Sequence, residues 1–144
     1  MMASMEELVE VFEGIYRKNG VIDAPDVVKE AKKKTSPLHP YFEWDDSAAA
    51  HEHRLHQARM LIRSVKVNVT IEKGEDPVPI KAFYSLESET GVSGYKPVAE
   101  ILAVPDERDM LLNRAKRELA SFRERYKHLE EFAELFEHIE SHVA

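Results

Sequence analysis

The residues best suited to chemistry are the histidines and the glutamate in the run HEHRLH, which begins at His51. In zinc proteases with an HExxH motif, the second His follows the first by four positions, so both imidazoles reach one metal ion. Four positions after His51 the residue is Leu55. His53 and His56 lie one helical turn apart and could share a metal with Glu52, but the spacing specifies no third ligand. We therefore expect exposed histidines and no metal site.

Motifs of other catalytic classes are missing from the sequence. The chain has no Cys, which excludes a thiolate nucleophile and a Cys-ligated zinc. It has no Gly-rich phosphate-binding loop and no Gly-x-Ser-x-Gly elbow. The acidic pair Asp45 and Asp46 is explained by helix capping, since carboxylates accept hydrogen bonds from the amides of a first turn. We predict a protein that is not an enzyme, with no catalytic residues and no cofactor.

Basic side chains are the second group that could act, through contacts with phosphates. The candidate DNA-binding residues are a lysine run and a helical row with steps of three or four, namely Lys32, Lys33, Lys34, His56, Arg59, Arg63 and Lys66. The row is either an ordinary solvated face or a face that contacts DNA. The net charge of −7 argues against a protein that coats nucleic acid with its whole surface. Residues 17–66 nevertheless carry ten Lys or Arg against seven Asp or Glu, so a local DNA-binding face is compatible with the composition.

The helix that carries this row is expected to begin at Asp45 or Asp46. Its apolar stripe, which should be buried, consists of Ala48, His51, Leu55, Ala58, Ile62 and Val65. The aromatic loop before it contains Tyr41, Phe42, Trp44 and Asp45. Nothing basic interleaves with the three rings, so we interpret the loop as a structural plug of the core and not as a base-stacking platform.

Two shorter helices precede the aromatic loop. Ser4 and Glu7 form a capping box for the first helix, which should end near Lys18. Asp23 is expected to cap the second helix, with Pro25 in its first turn.

After the central helix the hydrophobic period changes from about 3.6 residues to two. Alternation predicts a β-hairpin with strands near residues 65–71 and 78–86, then a loop at 91–94 and a short helix or turn near 95–102. The predicted fold class is mainly α with a small β-hairpin (α+β). The order of elements resembles a winged helix-turn-helix, although about ten residues separate the second and third helices where that motif has three or four.

Residues 106–144 contain no Gly or Pro and predict a long helix beyond a body formed by residues 1–105. Its apolar seam supplies the candidate oligomerisation residues Leu112, Ala115, Leu119, Phe122, Tyr126 and Leu129. A continuous helix of this length would measure about 55 Å, more than a small body covers. It therefore either breaks between Tyr126 and Glu131 and folds back, or packs on another copy, and we expect a homo-oligomer.

Several runs of the sequence resemble a known group of proteins. SPLHPYFEWDD, AAAHEHRLHQARMLIR and SGYKPVAEIL, together with the C-terminal helix, are similar to small phage- and prophage-encoded proteins of unassigned function. The resemblance covers most of the chain and implies a viral setting, but it transfers no functional residue.

Two classes of function follow. The first is an oligomeric DNA-binding accessory protein of phage type. The second is a phage structural or assembly protein, or an inhibitor of a host protein, that acts through the aromatic loop and the long helix. No apolar run is long enough to cross a membrane and the N-terminus lacks the basic start of a signal peptide, so we expect a cytoplasmic protein with no membrane partner.

Overall fold

A computed structural model describes residues 2–44 and 47–143 of the chain. The chain divides into two compact units, Met1–Glu100 and Ile101–Ala144. Within the described residues, the first unit combines helices with two small antiparallel sheets, and the second unit is helical. The predicted fold class, mainly α with a small β-hairpin, is confirmed.

Helix α1, Met5–Asn19, begins at the predicted N-cap. Ser4 Oγ accepts a hydrogen bond from Glu7 N at 3.2 Å, which satisfies an amide that has no partner inside the helix. Gly20 ends the helix with a φ of 75°, a left-handed conformation that glycine adopts without steric cost. The residues on its buried side are Leu8, Phe12 and Ile15.

Helix α2, Ala24–Ala31, is joined to the next helix by a long connection. Residues 32–47 separate it from α3, Ala48–Ser64, and contain a 3₁₀ turn at His39–Tyr41. The connection is longer than the sequence predicted, because α2 ends at Ala31, before the lysine run that was expected to close it, and α3 begins after the acidic pair. The two helices pack against each other despite this distance along the chain.

The start and the buried side of α3 differ from the prediction. Ser47 is the N-cap, since its Oγ accepts a hydrogen bond from Ala50 N at 3.1 Å. The predicted caps Asp45 and Asp46 lie outside the described residues. The prediction that His51 belongs to the buried stripe was wrong, because its side chain is exposed. Burial on this side of α3 begins one turn later, at Arg54 and Leu55. The buried residues at this side of the helix are Arg54, Ala58, Leu61, Ile62 and Val65.

Strands β1, Lys66–Val69, and β2, Val78–Lys81, form the predicted antiparallel hairpin. The predicted second strand is too long, because the chain changes its pairing partner at Ala82. The amide of Ala82 donates to Val65 O at 3.0 Å, whereas its carbonyl accepts from Val98 N at 2.8 Å. The hairpin therefore ends here and a different sheet begins.

The second sheet pairs β3, Phe83–Ser85, with β4, Tyr95–Pro97. A one-turn helix, α4 at Glu87–Thr90, lies between these strands in the sequence. The predicted loop at 91–94 is followed by a strand and then by α5, Val98–Ala103. The prediction of a helix or turn from residue 95 is thus wrong for β4, which pairs with a strand distant in sequence.

Close backbone contact joins β4 to the segment between α1 and α2. Ile22 and Tyr95 exchange two backbone hydrogen bonds, each of 2.8 Å. Gly94 permits this approach, because its φ is 106° and a Cβ there would collide with the side chain of Val21. The contact therefore links the connection between α1 and α2 to the second sheet.

The core of the first unit lies between its helices and its sheets. Phe12 and Phe83 meet edge to face, with 5.5 Å between their ring centroids, an arrangement favoured by the charge distribution of aromatic rings. The large side chains that are fully buried here are Phe12, Ile22, Val27, Leu38, Ile62, Val65 and Phe83.

The second unit contains two main helices in place of one continuous helix. Helix α6, Pro105–Tyr126, is followed by a 3₁₀ turn at Glu130–Phe132 and by α7, Ala133–Val143. The helices α6 and α7 pack against each other. Of the two alternatives for the long segment, the structure therefore shows the break and the fold back. In the described ranges 2–44 and 47–143, no helix is long and apolar enough to cross a membrane.

Aromatic and charged contacts join α6 to α7. The Phe122 ring lies 6.4 Å from Phe132 and 6.2 Å from Phe136, measured between centroids. An ion pair connects Arg123 to Glu140 across the two helices. These contacts occupy the C-terminal half of α6 and leave the N-terminal half without aromatic contacts among the described residues.

Candidate functional site

Helix α3 turns most of its polar side chains outward. The exposed residues of this helix, apart from its first turn, are Glu52, His53, His56, Arg59, Met60, Arg63 and Ser64. Three residues of the predicted basic row, His56, Arg59 and Arg63, lie on this exposed face. Arg63 is also held in place, because its Nε donates a hydrogen bond to Tyr95 Oη at 3.0 Å. The face therefore presents two permanent positive charges and one negative charge.

The other predicted DNA-binding residues lie elsewhere. Lys32, Lys33 and Lys34 are exposed just after the last turn of α2, and Lys33 Nζ donates to Glu30 at 3.0 Å. Lys66 is exposed on β1 and lines a groove together with glutamates of α1. The structure thus brings the α3 residues onto one face and places Lys66 in an acidic environment.

The aromatic loop is tied to the protein by specific contacts. His39 and Trp44 stack with 4.9 Å between ring centroids and an interplanar angle of 8°. Trp44 Nε1 donates to the backbone carbonyl of His39 at 3.1 Å, and His39 Nδ1 lies 2.7 Å from Ala31 O at the end of α2. Trp44 is half-buried and packs against the core.

The other loop residues also face the protein. Phe42 is buried, and its ring lies 5.7 Å from that of Trp44. Tyr41 Oη donates to Ala3 O at 3.3 Å, which connects the loop to the N-terminal segment. Asp45, the fourth loop residue named from the sequence, lies outside the described residues. The rings are engaged with protein groups, which leaves little aromatic surface for stacking on bases.

Arg54 is the residue of this region that sequence reasoning missed. Its side chain is 8% exposed, its guanidinium lies 5.3 Å from the centre of the Trp44 ring, and its Nη1 donates to Glu43 O at 3.3 Å. The signal was present in the spacing, since Arg54 lies four residues before the buried Ala58. An arginine at that position faces the aromatic loop and fastens it to α3.

A groove between α1 and β1 is a second feature that the sequence did not reveal. It has a volume of about 630 Å³ and is lined by Met5, Glu6, Val9, Glu10, Glu13, Lys66, Val67, Asn68 and Pro79. The spacing of Glu6, Glu10 and Glu13 places them on one side of α1, which is the only hint available from the sequence. The groove has apolar walls and an acidic rim.

Five of the six residues of the predicted oligomerisation seam lie on α6 and only Leu129 lies beyond its end, but the residues differ in exposure. Leu112 and Leu119 are 50% and 42% exposed, and Ala115 between them is also exposed. Nearer the break, Phe122 and Leu129 are half-buried, whereas Tyr126 is 39% exposed. Phe122 and Tyr126 contact each other at 4.9 Å between centroids. The exposed apolar strip of α6 is therefore Leu112, Ala115 and Leu119.

The histidine run has no metal-binding geometry in the part of the chain that the structure describes. His51, His53 and His56 are exposed, and within residues 2–44 and 47–143 no three His, Asp or Glu side chains converge on one point. Comparisons with known protein families, with curated proteins and with solved structures found no match.

Proposed function

We propose that the protein binds duplex DNA through the exposed face of α3, as a non-enzymatic accessory protein of phage type that acts in the cytoplasm. The observation that carries the proposal is the outward face of α3 with Arg59, Arg63 and His56, on a helix whose opposite side is buried in the core. A helix of this kind fits the major groove, which is about 12 Å wide.

The order of elements supports this proposal. Helix α1, the paired residue Ile22, α2, α3 and the hairpin β1–β2 follow one another as in a winged helix-turn-helix. In that motif the third helix contacts bases and the hairpin lies beside it. The long connection before α3 departs from the motif, and here it carries the aromatic loop that Arg54 fastens to the helix.

Charge excludes the hairpin from the proposed contact area. The hairpin loop carries Lys73 against Glu72, Glu75 and Asp76, so it is net negative and would be repelled by phosphates. Lys66 lies outside the proposed contact area for the same reason, since the three glutamates that line its groove would repel phosphates. The proposed DNA-binding residues are therefore Lys32, Lys33, Lys34, His56, Arg59 and Arg63.

The test is a charge reversal on α3. Arg59→Glu together with Arg63→Glu should abolish binding to a labelled duplex measured by fluorescence anisotropy, because two attractions become two repulsions. The matched control is Arg108→Glu with Arg125→Glu on α6, which changes the net charge by the same amount at exposed positions. Equal loss of binding in both variants, or no loss in the first, would show that α3 is not the DNA-binding face.

A second candidate function, assembly by protein contacts, is supported by the exposed strip on α6. Leu112 and Leu119 present large apolar side chains to solvent on the same side of the helix. Apolar surface of this kind is typical of a protein interface. We propose self-association through this strip, which is compatible with DNA binding by the first unit.

A further inference from the structure

We infer that the groove between α1 and β1 binds an extended, basic peptide segment, which adds as a strand to the outer edge of β1. This inference concerns a different surface from α3. It rests on three properties of the groove: an edge of β1 that pairs with no other strand among the described residues, apolar walls and an acidic rim.

The pairing of the hairpin shows which backbone groups face outward. The hydrogen bond from Ala82 N to Val65 O makes these two residues a hydrogen-bonded pair. Hydrogen-bonded and non-hydrogen-bonded pairs alternate along an antiparallel ladder, so Lys66 and Asn68 occupy non-hydrogen-bonded positions. Asn68 is opposite Pro79, which has no N–H to offer. The backbone groups of Lys66 and Asn68 therefore point away from β2.

The outer edge of β1 faces the groove. The N–H of Lys66 donates to Met5 Sδ at 3.4 Å, which places the first residue of α1 directly beside the edge. A thioether is a weak acceptor on a flexible side chain, and Met5 is 43% exposed. A peptide carbonyl would replace the sulfur with a stronger hydrogen bond at little cost.

The dimensions of the groove suit a short extended segment. Its helical wall runs from Met5 to Glu13, about 12 Å along the axis of α1 at 1.5 Å per residue. An extended chain covers that length with about three or four residues. Val9 on the helix and Val67 on the strand are half-buried and provide apolar contacts for the side chains of such a segment.

Charge selects the partner. Glu6, Glu10 and Glu13 line the groove with Lys66 as the one cation among the lining residues, and Glu13 also forms an ion pair of 3.9 Å with Arg17. A second copy of the chain would bring two sets of these glutamates together, and nucleic acid would be repelled by them. In an extended segment, alternate side chains point to opposite sides. A segment in which Lys or Arg alternates with apolar residues can therefore place its cations beside the glutamates of the rim and its apolar side chains against the walls.

The probe is a fluorescein-labelled heptapeptide of alternating Val and Lys, titrated with the full-length protein and followed by fluorescence polarisation. We expect saturable binding that disappears when alternate peptide amides are N-methylated, since methylation removes the donors needed by a strand edge. A peptide of alternating Val and Glu should not bind. No binding of the Val-Lys peptide, or equal binding of its N-methylated form, would overturn the inference.

Variants of the rim test the same point from the protein side. Glu6→Gln, Glu10→Gln and Glu13→Gln together should weaken binding of the Val-Lys peptide about tenfold, since each exposed pair contributes a small amount. The control is Glu130→Gln, Glu131→Gln and Glu134→Gln in the second unit, which removes the same number of negative charges. Equal weakening by both triples would mean that the peptide responds only to total charge, and the groove would not be the site.

The two proposals fail separately. The glutamine triple on α1 leaves Arg59 and Arg63 intact, so DNA binding should be preserved or slightly strengthened in that variant. The α3 charge reversal leaves the groove intact and should preserve peptide binding. Circular dichroism of the same samples shows whether each variant is folded. If a variant with an intact spectrum loses both DNA binding and peptide binding, the two surfaces are not separate and the inference is overturned.

Discussion

Arg54 has a different role from the arginines that follow it on α3. Its planar guanidinium both approaches the Trp44 ring and donates to Glu43 O, which a lysine ammonium would do less well because it is compact and strongly hydrated. Arg59 and Arg63 lie on the opposite, exposed side. A basic run in the sequence thus contains one structural residue and two that are available to a partner.

Trp44 is the residue through which the aromatic loop should stabilise the first unit. We expect Trp44→Ala to lower the free energy of unfolding by about 2 to 3 kcal/mol, since the ring is half-buried and a fully buried one would cost more. Urea denaturation measures the change. Trp44→Phe is the control, because it retains the stacking surface next to His39 and should cost less. A loss below about 0.5 kcal/mol for Trp44→Ala would show that the Trp44 ring does not stabilise the first unit.

Gly94 provides a test of the contact between β4 and the segment after α1. Gly94→Ala combines a positive φ with a collision at Val21, so we expect a loss of about 2 kcal/mol or more in thermal or urea unfolding. Gly74→Ala is the matched control, since Gly74 has a φ of 91° but nothing within 4 Å of a new Cβ. Equal losses for both variants would mean that backbone conformation alone, and not close packing, requires a glycine at position 94.

Among the secondary-structure elements, local signals were sufficient for α1 and for the existence of the hairpin, but not for the start of α3. The N-cap at Ser4, the left-handed Gly20 and the alternation after Val65 are all short-range patterns, and each marks the element that forms. The pairing of β3 with β4 was not predictable in this way. It depends on Ala82, where the alternation continues without any Gly or Pro while the pairing partner changes.

The candidate sites were less predictable than the elements. The exposed face with Arg59 and Arg63 follows from helical periodicity, because the opposite stripe must be buried. The groove beside β1 combines α1 with a strand that lies far away in sequence, so no local pattern brings Lys66 next to Glu10. The spacing places Arg54 on the same side of α3 as the buried Ala58, but it could not show what covers the guanidinium, since Trp44 and Glu43 of a separate loop supply those contacts.

The exposed strip of α6 predicts self-association of the chain. Leu112→Asp with Leu119→Asp should reduce the mass measured by light scattering from a multiple of the chain to a single chain, because the variant buries two charges in the proposed interface. Helicity should be retained, since both side chains are exposed. Phe122 is left unchanged, because it contacts Phe132 and Phe136 of the same unit.

The control for the α6 strip places the same charges beside it. Asn113→Asp with Ser121→Asp adds two carboxylates at exposed polar positions and should leave the mass unchanged. If the native protein has the mass of one chain at tens of micromolar, the strip is not a self-association surface. The assembly proposal would then be withdrawn for this helix.

For the whole molecule, the distribution of charge matters more than its sum. The chain has a net charge of −7, yet the charge is unevenly distributed over the first unit. Glutamates line the groove at α1, whereas the outward arginines lie on α3. Separate surfaces of opposite sign allow one small unit to engage a polyanion and a basic peptide without competition between the two.

The salt dependence of DNA binding tests this separation of charge. If Arg59, Arg63 and the three lysines at 32–34 all contact phosphates, the logarithm of the association constant should fall against the logarithm of salt concentration with a slope of about −4.5. Anisotropy titrations of a duplex between about 50 and 200 mM salt measure this slope. Replacing the three lysines by Gln should reduce the slope to about −2 without abolishing binding, since the α3 contacts remain. An unchanged slope would exclude the lysines from the interface and restrict the contact to α3. No binding at the lowest salt concentration would reject DNA as the partner. The α1 groove and the α6 strip would then remain as the functional surfaces.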